Sequence, residues 1–219
     1  MNIHIAQIKN QPVDSNCYVI SKEGSQGCII IDPGAKDGDE LFRYLTLNNL
    51  YPEFIVLTHE HFDHIWGVDK LKEAYNPKLV CSRYCSGKII KSKGNLSVFY
   101  DQEGFATVPA DLVVEEIDYS LTWNNLIVKF ISTPGHTGGC ISVDIDNSLF
   151  TGDFIIKGVK TNTKLPGSSA TKFQQSIEQV VSAYRGKNTR VYPGHGDPFD
   201  FQEILPALTG TPTGICEPG

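Results

Sequence analysis

Apolar residues in the first third of the chain come in short alternations and compact runs rather than long stripes. Ile3-His4-Ile5-Ala6-Gln7-Ile8 alternates, and Cys17 to Ser21 and Cys28 to Ile31 are apolar runs separated by Asn10-Gln11-Pro12 and Glu23-Gly24. A period of two, bounded by turn residues, predicts strands, so the chain opens as a β-meander. From Asp39 to Leu50 the rhythm changes. Leu41, Leu45 and Leu50 recur at roughly helical spacing behind an acidic start, which predicts a helix. Phe54-Ile55-Val56-Leu57 then reads as a buried strand, Val68 to Tyr75 as a helix and Leu79-Val80-Cys81 as another strand. Lys91 to Pro109 is polar, contains glycine and has no period, and is expected to be a substrate-facing loop.

The second half echoes the first. Strands are predicted at Leu112 to Glu115, Leu126 to Ile131, Cys140 to Ile145 and Ser148 to Thr151, with a hairpin turn at Asp146-Asn147. A helix is predicted over Thr171 to Tyr184, where Phe173, Ile177, Val180, Val181 and Tyr184 form one stripe, and Arg190-Val191-Tyr192 is a last short strand. Strands, helix and strand, twice over, predict two β-sheets face to face with helices outside. The expected fold is α/β of the α+β type, a four-layer αββα sandwich. No low-complexity linker divides the halves, so one domain over residues 1–219 is expected, with a short helix or turn after Phe201 and a flexible tail from about residue 206.

Composition narrows the function classes. A chain of 219 residues with 40% hydrophobic content can bury a full core. Its formal charge of -6 supplies no basic stripe for nucleic acid or an anionic membrane. The N-terminus alternates instead of joining a basic stretch to a long apolar run, so neither a signal peptide nor a membrane span is expected. Cys17, Cys28, Cys81, Cys85, Cys140 and Cys216 are scattered through a chain large enough to need no staples, which predicts reduced thiols and a cytoplasmic location. Cys81 and Cys85 are spaced like one helical turn, but no second pair completes a thiolate metal site, and buried free thiols are expected.

The chemistry concentrates in Thr58-His59-Glu60-His61-Phe62-Asp63-His64, three histidines and two carboxylates directly after a buried strand. In extended geometry His59 and His61 share a side, and a turn at Asp63 sends Asp63 and His64 elsewhere, so one segment can serve two adjacent ions. His136, Asp153 and His195 follow in loops after predicted strands, within Thr133-Pro134-Gly135-His136-Thr137, Thr151-Gly152-Asp153 and Tyr192-Pro193-Gly194-His195-Gly196. Taken singly, Pro-Gly and Gly-Asp suit turns. Their joint occurrence, in order, points to metal binding. Cys140 lies close after His136, but the strand pattern around it predicts a buried thiol, and Glu60 and Phe62 are expected to be structural.

This ordered set resembles the signature of metallo-β-lactamase-fold hydrolases. It is most similar to the glyoxalase II-like branch, because the first motif ends Asp63-His64 and the bridging position is Asp153. The resemblance implies that His59, His61 and His136 hold one metal, that Asp63, His64 and His195 hold the other, and that Asp153 bridges both. It makes Asp32, in Ile30-Ile31-Asp32-Pro33-Gly34, an aspartate that orients a metal-bound histidine, and Asn16 a structural hydrogen-bonding group. Asp63, Asp153 and Asp32 thereby become the catalytic carboxylates. Two divalent ions are implied, with zinc best suited to imidazole and carboxylate ligands and iron or manganese also compatible. Such a pair, about 3.5 to 4 Å apart, activates water and polarises the bond it attacks. The implied reaction is hydrolysis of a small thioester or related ester. A mononuclear-iron sulfur dioxygenase, a lactonase or phosphodiesterase, and a non-catalytic metal-stabilised binding protein are the alternatives. Lys157, Lys160 and Lys164 are the candidate contacts to an anionic substrate. Short relatives carry a Gly-Arg-Thr-Asp-like segment where this chain has Thr161-Asn162-Thr163-Lys164, which argues for a thiol carrier other than glutathione.

Overall fold

The computed structural model describes residues 2–115 and 119–210, and the following statements concern those residues. One sheet runs in chain order through β1 (Ile3–Lys9), β2 (Asn16–Lys22), β3 (Gly27–Ile31), β4 (Tyr51–Val56), β5 (Lys78–Ser82) and β6 (Leu112–Val114). The first three strands are antiparallel neighbours, and β3 to β6 are parallel. Parallel neighbours need crossovers. Here α1 (Asp39–Leu47) links β3 to β4. The short α2 (Phe62–Ile65) and α3 (Val68–Tyr75) lead on to β5, and α4 (Arg83–Ile89) and α5 (Ser97–Tyr100) lead to β6. The second sheet has the order β12-β11-β10-β9-β8-β7, made from β7 (Tyr119–Trp123), β8 (Leu126–Ser132), β9 (Ile141–Ile145), β10 (Ser148–Gly152), β11 (Arg190–Pro193) and β12 (Phe199–Asp200). The long α6 (Ala170–Tyr184) carries the parallel crossover from β10 to β11, and α7 (Phe201–Thr209) follows β12.

Strand periodicity explains the layers. On β2, Tyr18 and Ile20 point into the space between the sheets, while Cys17 and Val19 point out under the helices. On β3, Ile29 and Ile31 point in and Cys28 and Ile30 out. Both faces of these strands are therefore apolar, as a sheet covered on both sides requires. The inner layer is completed from the second sheet by Val128, Phe130, Val143, Ile145 and Phe150. Outside that sheet, Leu149 and Val191 meet Ile177, Val180 and Tyr184 of α6 and Phe201 and Ile204 of α7. The result is the expected αββα sandwich. None of the helices is long and apolar enough to cross a membrane.

The local departures have identifiable causes. The first helix stops at Leu47, short of Leu50, because Asn49 takes a left-handed conformation and Leu50 N bonds back to Leu45 O at 2.9 Å. Cys81 and Cys85 do not share a helix. Cys81 ends its run on β5, and α4 starts after Ser82, whose hydroxyl accepts from Cys85 N at 3.1 Å. Both thiols are buried and free, as are Cys17, Cys28 and Cys140, while Cys216 lies outside the described residues. The polar stretch Lys91 to Pro109 contains the single turn α5 but is otherwise loop. Near the end, α7 continues through Pro206 to Thr209, past the point where a tail was expected. An Asp200–Glu203 capping box starts it, and Phe201 and Ile204 tie it to the outer core.

The turn after β3 packs closely against the turn that holds Asp63. A Cβ at Gly34 would lie 1.5 Å from the carbonyl oxygen of Asp63, whereas one at Gly24 would meet nothing within 4 Å. Gly34→Ala should cost roughly 2–3 kcal/mol as an overpacking substitution, lowering Tm by about 5–10 °C. Gly24→Ala should cost about 1 kcal/mol from its positive φ alone. Equal Tm values for the two variants in scanning calorimetry would show that the approach is not restrictive.

Candidate metal centre

The site is assembled from strand ends. Thr58 to His61 follow β4, Asp63 and His64 lie on α2, His136 follows β8, Asp153 follows β10 and His195 follows β11. Each functional side chain lies one to five residues beyond the end of its strand, or on α2, and the loops converge at one edge of the sandwich. The structure brings together all seven side chains that the sequence marked as candidate ligands. One atom each from His59, His61, His136 and Asp153 lies within 4.8 Å of the others, and so do atoms from Asp63, His64 and His195.

The finer geometry tests whether these residues fit a metal. His136 Nε2 is 3.0 Å from His61 Nδ1 and 3.6 Å from Asp153 Oδ2. On the other side, Asp153 Oδ1 is 3.5 Å from His64 Nε2 and 3.6 Å from His195 Nε2, and Asp63 Oδ2 is 3.5 and 3.4 Å from the same two nitrogens. Ligands at about 2.0–2.1 Å from a tetrahedral ion sit about 3.3–3.4 Å from one another, so these spacings match the edges of coordination polyhedra. His59 Nε2, His64 Nε2 and Asp153 Oδ1 are buried without hydrogen-bond partners. Such atoms carry a desolvation penalty unless something between them is bonded. The donor set fits a divalent cation.

The opposite edge of four of the five imidazoles is occupied. His64 Nδ1 donates to Asp32 Oδ2 at 3.0 Å, His136 Nδ1 to the Asn162 carbonyl at 3.1 Å, and His195 Nδ1 to the Asp14 carbonyl at 2.6 Å. His59 Nδ1 donates to Thr58 Oγ1 at 3.0 Å, and that hydroxyl donates onward to Asp32 Oδ2 at 2.6 Å. Asp32 Oδ1 accepts from Thr58 N at 2.8 Å. Asp32 lies near His59 and His64 too, but both its oxygens are engaged by N–H and O–H donors, which leaves it orienting rather than facing the centre. Asn16 is likewise structural. Its amide donates to the carbonyls of Pro193 and Gly196, each at 2.8 Å, and steadies the loop of His195.

Electrostatics divide the cluster. Burial, followed by neighbouring imidazoles, holds His59 well below the usual histidine range and lowers His61 to about 4, and burial lowers His136 against the opposing pull of Asp153. These three are neutral donors. At His64 burial acts downward, but the carboxylates of Asp63, Asp153 and Asp32 outweigh it and raise the group to about 10. Burial pushes Asp63 upward, yet His64 and His195 win and hold it well below the ordinary carboxylate range. Negative charge is thus gathered on the Asp63 and Asp153 side, where a cation is most favoured. The exposed rim is at His195, whose side chain is 30% accessible, beside Asp63 and Asp153.

A family model of the metallo-beta-lactamase superfamily matches residues 10–195, which span every one of these side chains. The chain belongs to the metallo-β-lactamase superfamily. It is 27% identical over 204 residues to the probable metallo-hydrolase YqgX of Bacillus subtilis, covering 91% of this chain and 94% of that protein. It is 31% identical over 199 residues to Glyoxylase B2 of Dictyostelium discoideum, covering 82% of this chain and 65% of the relative. The crystal structure of BLEG-1 B3 metallo-beta-lactamase superposes with a TM-score of 0.87 at 27% identity, covering 96% of this chain and all 100% of that one.

The three lysines are less concentrated at the centre than the ligand candidates. Lys157 is paired with Glu203 on α7, Lys160 borders a cavity of about 370 Å³ with Phe154, Phe173 and Leu208, and Lys164 is exposed with its backbone N–H on Asn162 Oδ1 at 3.0 Å. Sequence reading assigned no role to Thr58, to the carbonyls of Asp14 and Asn162, or to Ser168, whose hydroxyl donates to the His136 carbonyl at 2.5 Å. A carbonyl leaves no mark in sequence. Thr58 had one signal, its place directly before His59.

Thr58→Val should weaken metal binding on the order of 10 to 100-fold, because His59 Nδ1 loses its acceptor and Asp32 one of its donors. Thr58→Ser should stay close to the parent. Competition with a chromogenic chelator measures both, and equal affinities for parent and valine variant would remove Thr58 from the support of the site.

Proposed function

We propose that this superfamily member is a dinuclear metal-dependent hydrolase of a thioester or related ester. The observation that carries the reading is Asp153, whose Oδ2 faces His136 and whose Oδ1 faces His64 and His195. A carboxylate turned this way would offer one oxygen to each of two ions. In this reading His59, His61 and His136 hold one, Asp63, His64 and His195 the other, and Asp32 orients His64 directly and His59 through Thr58. When bound, two divalent ions supply an activated water and polarise the carbonyl under attack. Zinc suits the imidazole-rich set best.

The chain's own residues supply position. The Asp14, Asn162 and Asp32 acceptors fix ring orientation, and the rim at His195, Asp63 and Asp153 leaves the approach for substrate. Among the described residues, Glu60 is the nearest further acid in sequence, but it is buried and accepts from Thr137 Oγ1 at 2.9 Å. Glu60 is thus engaged with the turn that carries His136 rather than held at the rim. A thiolate needs little protonation at neutral pH, given a free thiol pKa of about 8.5, whereas an amine leaving from a lactam needs more help. The name of Glyoxylase B2 supports the thioester reading, and the BLEG-1 likeness makes a β-lactam the necessary counter-arm.

Asp153→Ala should lower metal stoichiometry and turnover together, since two like-charged ions lose their shared anion. Retention of two ions per chain with full activity would rule out the bridge. For the substrate, kcat/KM on one metal-counted preparation should be highest for a thioester among glutathione and non-glutathione thioesters, a lactone, a β-lactam and a phosphodiester. A lactone, β-lactam or phosphodiester ahead by about tenfold would overturn the thioesterase reading and leave the metal site standing.

A further inference from the structure

Glu60 is a buried carboxylate between two candidate ligands, His59 and His61, yet it does not join the clustered ligand atoms. It meets the turn that carries His136 instead. Glu60 Oε2 accepts from Thr137 Oγ1 at 2.9 Å, and that hydroxyl oxygen accepts from Gly139 N at 3.0 Å. The approach is close, since a Cβ at Gly139 would lie 2.5 Å from Glu60 Oε2. Thr137 is buried as well. One side-chain bond thus joins the segment of His59 and His61 to the residue after His136, whose Nε2 lies 3.0 Å from His61 Nδ1. A carboxylate costs more to bury here than an apolar side chain, so stability of the fold alone does not select it.

Further holds on the His136 turn come from the start of α6 and the residues before it. Ser168 Oγ donates to the His136 carbonyl at 2.5 Å, Ser169 N to the Gly135 carbonyl at 2.9 Å, and Ser176 Oγ to the Pro134 carbonyl at 2.8 Å. These bonds fix the turn against α6, and the bond from Thr137 to Glu60 fixes it against His59 and His61. The second set of ligands is supported from elsewhere, by the hairpin between β1 and β2. Ser15 Oγ donates to the Asp63 carbonyl at 2.5 Å, and the Asp14 carbonyl accepts from His195 Nδ1 at 2.6 Å. Asp32 serves both sets, whereas Glu60 and Ser15 each serve one.

We infer that Glu60 is a positioning residue for the ion held by His59, His61 and His136: through Thr137 it sets the spacing of His136 from the other two histidines. It thereby tunes the affinity of that site separately from the second. The inference rests on the dinuclear reading above and assigns a residue to one half of it. His136 arrives from a different strand than His59 and His61, and a metal ligand set has to be held within about 0.5 Å of its working geometry. A displaced turn moves one edge of that triangle and leaves the second site as it was. The role needs an acceptor at Oε2, which a glutamine also provides.

The experiment measures zinc affinity by chelator competition on the full chain in two single-site backgrounds. His195→Ala keeps the first ligand set intact, and His136→Ala keeps the second. On His195→Ala, Glu60→Leu and Thr137→Val should each weaken zinc about 10 to 100-fold, and the pair together no more than either alone. Glu60→Gln and Thr137→Ser, which retain the acceptor and the hydroxyl, should stay within about threefold of the background. The visible spectrum of bound cobalt should shift with Glu60→Leu and return with Glu60→Gln. On His136→Ala the same substitutions should leave zinc affinity unchanged, while Ser15→Ala weakens it. Should Glu60→Leu fail to fold, Thr137→Val against Thr137→Ser decides the same comparison. Equal weakening in both backgrounds, or no weakening on His195→Ala, overturns the inference, as does a glutamine variant as weak as the leucine one. A parent that binds a single ion sinks the dinuclear reading. The assignment of Glu60 then stands if Glu60→Leu weakens that ion and Ser15→Ala does not, and falls otherwise.

Discussion

The carboxylate of Asp32 is the constraint on which the site depends. It follows β3, takes a left-handed backbone conformation with φ of 52°, and accepts from Thr58 N, Thr58 Oγ1 and His64 Nδ1. One group thereby ties the end of β3 to the end of β4 and to α2. Because Thr58 passes the interaction to His59, Asp32 sets ring orientation in both halves of the centre. The buried location makes each of these bonds count, since none of the three donors has water as a substitute. Gly34, two residues on, brings the same turn against the Asp63 carbonyl, so the position of Asp63 is set from the same strand end.

The sandwich makes such a cluster tolerable. Five imidazoles and two carboxylates crowd one edge, with the ring of His59 centred 4.3 Å from that of His64 and 4.7 Å from that of His61. Three of their polar atoms are buried without hydrogen-bond partners, each at a cost of about 1–3 kcal/mol. A sequence selected for stability alone would not assemble them. The three apolar layers, one between the sheets and one under each helical face, offset that cost and hold the loops close enough for the charges to act.

Burial also separates the roles of chemically similar groups. Desolvation lowers His59, His61 and His136, whereas three carboxylates surround His64 and draw positive charge, a proton or a cation, to its side of the cluster. Cys140 sits beside the same loop, yet it is a buried thiol whose titration is raised by desolvation. Its sulfur accepts from Thr137 N at 3.3 Å, serving the turn that carries His136. Proximity alone would not have distinguished a ligand from a structural thiol.

Much of this was legible in the chain. The alternating and continuous apolar runs marked every strand except β7 and β12, because a side chain's face is set by period two whatever surrounds it. The ordered histidine and aspartate motifs gave all seven candidate ligands, since each motif is local and follows its own strand. What was not legible was everything mediated by partners far apart in sequence. The short strand β7 and the helix α4 have weak local patterns and are held by neighbours, β7 by pairing with β8. The loop ending of α1 turned on the conformation of Asn49. Asn162, read as part of a substrate segment, supports His136 through a carbonyl, a group every residue possesses. The hydrogen bond from Thr137 to Glu60 joins two motifs 77 residues apart. The sequence by itself determined which side chains are available and which face of each strand they occupy. Only the tertiary structure decided which of them meet and which way each donor points, because those depend on distances across loops that local pattern does not encode.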